Sequence, residues 1–364
     1  MPVPLPLNPF PPSSDEYAAY TSCLNLEPLG SSWSRVVDEK QSSRATMFKF
    51  SPGVAARVLG YALIYSPSIK GKACLAEEIS SCDGDNELLA GLSYLYIMAM
   101  IRIFKNPTDE IPTPTSVHSP RPSFQVTADD IAVLLSQPTA SSSNAKKLAL
   151  ARDNYRCILS GNVDTNSFDT GLTTVNETER ITDIQLGHIF GELMSNCIVG
   201  MTDAAQKKLD WAASAADVVK RFGDISVVEE LNQTNIHSAQ NTFTVSPEFN
   251  GPFDRLRISL QPVGHEDSNA YQINTYPPNR YALYGLPERV TLMDASASGQ
   301  IPLPSRRYFQ LHDACAKISH LSGGGEVVEQ LFRDVEDLKV LAEDGGSSDL
   351  LSLALLSRPI VQHD

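Results

Sequence analysis

A histidine, two asparagines and an aspartate carry the strongest chemical hint in this 364-residue chain. His188 sits in Gly187-His188-Ile189; Asn241 and Asn250 bracket Phe243 and Val245, and Phe253-Asp254 follows the second asparagine. Hydrolysis of a phosphodiester with one metal needs a base for water, a hard cation on the phosphate, ligands for that cation and a group that fixes the base. A neutral imidazole suits the first task near pH 7. Asn250 can present a carbonyl oxygen to a hard cation, and Asn241 can hydrogen-bond backbone near His188 and so orient the ring. The same residues also fit a plainer account, in which the histidine is a satisfied core or surface residue and both asparagines form turns.

The elements needed to position these groups are short. Residues 184–190 form an apolar stretch that suits a strand, and Gly191 suits a turn. Phe243 and Val245 alternate in the manner of a strand before a loop, and a helix or tight turn is expected around Pro252-Phe253-Asp254. Elsewhere, helices are expected around 51–66, 86–104, 145–156, 202–222 and 326–342, with short strands at 256–260 and 271–273. Prolines concentrated in 105–124 mark a linker. The resulting division is a mostly helical region over 1–104, a Pro-rich linker over 105–125, an α+β domain over 126–275 and a C-terminal extension with amphipathic helices over 276–364.

Composition narrows the classes. With 42% hydrophobic and 20% charged residues the chain has the makings of an ordinary core. Six cysteines without a Cys-x-x-Cys pair indicate neither a zinc knuckle nor a disulfide framework, and a reducing compartment fits them. The proline-rich N-terminus lacks the pattern of a signal peptide and reads as a floppy or docked arm, and the apolar run 88–101 falls short of a bilayer span. An intracellular protein without a membrane partner is expected. The formal charge of −14 opposes phosphate binding unless a basic face exists. Lys146, Lys147, Arg152 and Arg156 stand against the single acid Asp153 and are the candidate nucleic-acid contacts; a solvated helix face is the plainer account.

Several stretches form a set: Pro120-Arg-Pro-Ser-Phe124, the run from Ala145 through Arg152-Asp153-Asn154-Tyr155-Arg156-Cys157 to Gly161, Gly187-His188-Ile189-Phe190-Gly191-Glu192, Ile236 to Asn241, Phe253-Asp254, and Pro302-Leu-Pro-Ser305 with His312. On these stretches the chain between about residues 116 and 364 resembles the fungal HNH-type nuclease-domain proteins. The resemblance implies an HNH-like ββα-metal core, His188 as general base, Asn241 as the residue that holds the finger together, and Asn250 in the final metal-ligand position, where the family has histidine. Mg²⁺ or Mn²⁺ would be the cofactor and nucleic acid the partner. Gly187 departs from the acidic ligand that many related enzymes carry before the histidine, so Asp254 or Glu192 would have to supply a carboxylate; Asp183 would face away from His188 on a strand. His237 reads as a structural histidine, His312 as the start or cap of a C-terminal helix, and Cys157 as core. Three expectations follow: an active metal-dependent endonuclease, an HNH-fold binding protein without turnover, or a pocket reused for a small molecule.

Overall fold

Serine and aspartate side chains set where the N-terminal helices begin. Ser14, Ser51, Ser68 and Asp85 each accept a hydrogen bond from a backbone N–H in the first turn that follows, satisfying donors a helix start leaves open. The computed structural model describes residues 2–29, 50–104, 131, 142–177, 179–191, 215–231 and 235–336. The four capped helices are α1 (Asp15–Leu26), α2 (Pro52–Tyr65), α3 (Ile69–Ser81) and α4 (Asn86–Tyr96). They are followed by α5 (Ser142–Arg152), strands β1 (Val163–Asp164), β2 (Ile181–Thr182), β3 (Gln185–His188) and β4 (Thr242–Val245), and helix α6 (Pro247–Asp254). Strands β5 (Ile258–Val263), β6 (Ala270–Thr275) and β7 (Arg289–Thr291) precede α7 (Arg306–Ser322) and α8 (Gly324–Glu336). The fold is α+β.

The chain forms two units, each assembled from separated segments: 1–103 with 196–228 and 314–364, and 104–195 with 229–313. The division expected from punctuation is contiguous, whereas these units interleave along the chain, with no unit boundary at 276 and the second unit running on to residue 313. Proline and glycine runs report local breaks. They do not report which distant segments share a core. The expected linker 105–125 lies outside the described residues except where it is bounded by Phe104, as do residues 202–214 of one expected helix and the end of another beyond Glu336.

The first unit is helical and closely packed. Most of α2 is buried, including Gly60, where an added Cβ would come within 2.6 Å of the Leu5 side chain. That contact answers the question of the N-terminal arm. It is docked: Leu5 N–H donates to the Glu27 carboxylate, Tyr61 Oη donates to Pro4 O at 2.9 Å, and Val3 N–H donates to Leu321 O. Helix α4 continues through a π-helical turn, Ile97–Ile101, into Phe104, and all five residues of that turn are buried against α8 and their neighbours. The 86–104 helix is long and apolar enough to cross a membrane, and 67% of that stretch is buried inside the protein.

Among the described residues the second unit contains three small sheets: β1 and β2 are parallel, β3 and β4 antiparallel, and β5, β6 and β7 antiparallel in that order. Its core is aromatic. Phe243 of β4 lies edge-on to Phe253 of α6 with ring centroids 4.9 Å apart, and Phe309 of α7 packs on both, with Tyr271 of β6 on its other side. Helix α6 therefore packs on β3 and β5 through Phe249 and Phe253.

Candidate functional site

Strand β3 is fixed from both ends. Asp164 Oδ1 accepts from Ile184 N–H just before the strand, and Ile189 N–H donates to Asn241 O just after it. Between them, β3 pairs with β4 so that Gly187 lies opposite Phe243 and His188 opposite Thr242. A Cβ at Gly187 would meet the Phe243 ring at 2.8 Å and Val245 at 3.1 Å. Position 187 therefore faces the aromatic core, and the Phe243 ring fills the space in which a ligand side chain would otherwise lie. Strand alternation turns His188 to the other face.

Asn241 is wholly buried and fully used. Its Oδ1 accepts from Phe190 N–H at 2.9 Å, while Nδ2 donates to Phe190 O at 3.0 Å and Ile236 O at 2.8 Å. The side chain thus closes the end of the hairpin, tying the residue after His188 to the segment before β4. That segment carries His237, whose Nδ1 lies 2.9 Å from His188 Nε2, with the two rings inclined at 62°. One of the two nitrogens donates and the other accepts. Burial pushes the His188 imidazole down to about 4, and neighbouring His237 adds to the effect, so the ring is neutral at pH 7.

Helix α6 begins directly after β4 and carries Asn250 and Asp254 one turn apart, on one face. Asn250 Oδ1 is buried and has no hydrogen-bond partner. An amide oxygen left dry costs about 1–3 kcal/mol. Burial raises the Asp254 carboxyl to about 7, an effect partly offset by Arg255. His188 hydrogen-bonds to His237, and among the described residues no group of three or more His, Cys, Asp or Glu side chains converges as metal ligands. Asn250 Oδ1 and the Asp254 carboxylate, at i and i+4 of one helix, are the oxygen donors there of the type a hard cation accepts. Asp183 is exposed in the turn before β3, and Glu192 lies outside the described residues.

No family model, curated protein or solved structure matches the chain.

Among the expected nucleic-acid contacts, Arg152 must be corrected. Its side chain is 0% exposed, paired with Asp153 through Nε and Nη2, and donates to Ala239 O, Pro302 O and Thr242 O. Asp153 in turn accepts from Thr244 N–H and Oγ1. The Arg-Asp pair is a clamp that holds α5 to β4, and it has no donor left for a phosphate. Arg156 is mostly engaged as well, with Glu179, Thr173 Oγ1 and Thr174 O. Lys147 is exposed and Lys146 half-buried on α5, so these two remain available to solvent.

His312 lies within α7 rather than at its start, stacked on Phe253 at 4.0 Å and hydrogen-bonded through Nε2 to Phe253 O. Its imidazole is pushed down to about 4 by burial, and it ties α7 to the end of α6. Cys157 is buried and free. Sequence reasoning missed the partnership of His237 with His188. The available signal was its position four residues before Asn241, which places it in the segment that Asn241 folds back beside the strand end.

Proposed function

We propose that the β3–β4–α6 element is an HNH-type ββα centre that hydrolyses phosphodiesters, with His188 as the base for the attacking water. The observation that carries this reading is Asn250 Oδ1, a buried oxygen without a partner on the helix that directly follows the strand pair bearing His188. Bound Mg²⁺ or Mn²⁺ would stabilise charge on the phosphate and on the leaving oxygen. The remaining work belongs to the protein. His188, neutral at pH 7, accepts a proton; with Nε2–H donated to His237 Nδ1, the accepting lone pair is on Nδ1. His237 fixes the plane of that ring, and Asn241 fixes the backbone that carries both histidines. Asp254 shares a helix face with Asn250 and supplies the carboxylate that position 187 lacks. Lys146 and Lys147 are the remaining candidates on α5 for backbone phosphates.

A second reading has its own support. The Phe243 ring fills the side-chain space at Gly187, and the described residues include no three-ligand cluster, which favours an HNH-like scaffold that binds nucleic acid or a small molecule without turnover. Plasmid nicking separates the two. Active protein should nick supercoiled DNA only with Mg²⁺ or Mn²⁺, and His188→Ala should lower the rate by about 10²-fold or more. Cleavage that persists in that variant removes His188 as the base. A protein that binds DNA in a salt-dependent, Lys146- and Lys147-dependent way without nicking supports the scaffold.

A further inference from the structure

A second concavity lies in the same unit as His188, against the opposite side of α6. Its volume is about 840 Å³, within the range of small-molecule sites, and Glu248, Phe249 and Pro252 of α6 form part of its wall. At about 3.6 residues per turn these three residues share one face of α6, while Asn250 and Asp254 occupy the other. The cavity is therefore separate from the proposed hydrolytic centre and does not depend on it.

Two arginines decide its chemistry. Arg180 and Arg257 both line the cavity and both are exposed, and among the described residues neither side chain has a hydrogen-bond or ion-pair partner. Two carboxylates share the wall: Glu179 accepts from Arg156 and from Asn176 N–H outside the cavity, and exposed Glu248 accepts from Asn162 Nδ2 within the wall. Two like charges around one concavity repel, and an anion between them turns that repulsion into paired, charge-assisted hydrogen bonds. The rest of the wall is mixed, with Ser160 and Asn162 beside apolar side chains. Tyr284 is 45% exposed and Leu283 81% exposed, an unusual surfacing of large side chains beside a charged pocket. An aromatic face and an aliphatic side chain in one cavity with two guanidiniums suit a flat, partly apolar group attached to a phosphate.

We propose that this cavity binds a nucleotide-sized organic phosphate, with Arg180 and Arg257 on the phosphate and Tyr284 and Leu283 against the base. Calorimetric titration of the full-length protein with AMP, UMP, adenosine and inorganic phosphate at physiological salt tests it. The expected result is saturable binding of AMP or UMP, with adenosine and phosphate each weaker by about tenfold or more. Arg180→Ala and Arg257→Ala should each weaken nucleotide binding by about tenfold, a loss of 1.4 kcal/mol. Arg289→Ala, an exposed arginine of β7 that does not line the cavity, should leave it unchanged. The proposal is overturned if no nucleotide binds at millimolar concentration, if the Arg180→Ala/Arg257→Ala double variant binds AMP as well as the parent, or if inorganic phosphate binds as tightly as AMP. None of these outcomes bears on His188, so the two sites stand or fall separately.

Discussion

The Arg152–Asp153 clamp is a buried polar pair, whereas His188, Asn250 and Asp254 of the same unit are half-buried, and the two sets are built on opposite terms. In the clamp, every charge is paired and its remaining hydrogen bonds go to backbone on β4 and neighbouring loops. In the other group an amide oxygen has no partner, a carboxyl is pushed up to about 7 and an imidazole down to about 4. The first arrangement stabilises a fold. The second is unfavourable for the fold taken alone, because dry, unmatched polar groups raise the energy of the native state. Groups of the second kind gather where a ligand or a proton completes them, and that contrast separates scaffold from candidate chemistry within a single hairpin and helix.

The contrast is broken most directly at Arg152. Arg152→Ala leaves Asp153 buried without its counter-charge, so the unit should lose about 3–5 kcal/mol, read as a fall in the denaturant midpoint. A loss below about 1 kcal/mol would return Arg152 to the surface and reopen its role as a phosphate contact. Asn241→Ala comes next. It strips partners from Phe190 N–H, Phe190 O and Ile236 O, and should cost about 2–3 kcal/mol by the same measurement.

Asn250→Ala should behave differently although it too removes a buried amide. The lost side chain had an oxygen with no partner, so stability should change by no more than about 1 kcal/mol in either direction, whereas metal-dependent nicking should fall by at least about tenfold. A large destabilisation would mean that the amide is structural, and Asn250 would then join Asn241 on the scaffold side of the comparison.

Much of the local structure was legible. Apolar residues and their spacing announced α2 and α8, and alternation announced β4 and β6. The helices α1 and α3 were not expected, although Ser14 and Ser68 cap them, because their apolar positions are mixed with lysine, glutamate and serine. The position of Asn241 beside the strand end with His188 was legible from the motif. What the sequence could not reveal was pairing over long separations. Arg152 has the composition of a surface cation, and only its contacts with Thr242, Ala239 and Pro302, far along the chain, turn it into a core residue. The side of α6 on which Asn250 is left dry likewise depends on how Phe249 and Phe253 pack, which no local pattern records.

The finest test of the comparison uses pH. A histidine held down at about 4 is protonated first in the unfolded chain, so His188 and His312 both withdraw stability as pH falls from 6.5 towards 4. Asp254 acts in the opposite sense. Its carboxyl is raised from 3.8 to about 7, so the native state favours the protonated form, and stability is fully present below 3.8 and lost as pH rises through 7. Asp254→Asn imitates the protonated carboxyl at every pH. In the presence of a chelator it should therefore melt above the parent at pH 8, by an amount worth about 1 kcal/mol once solvent screening of this partly exposed group is allowed for. Well below pH 3.8 the two proteins should melt together, because the parent carboxyl is then protonated in both the native and the unfolded state. An equal shift at both pH values would mean that the substitution acts through packing, and Asp254 would lose its proposed role as a carboxylate ligand beside Asn250.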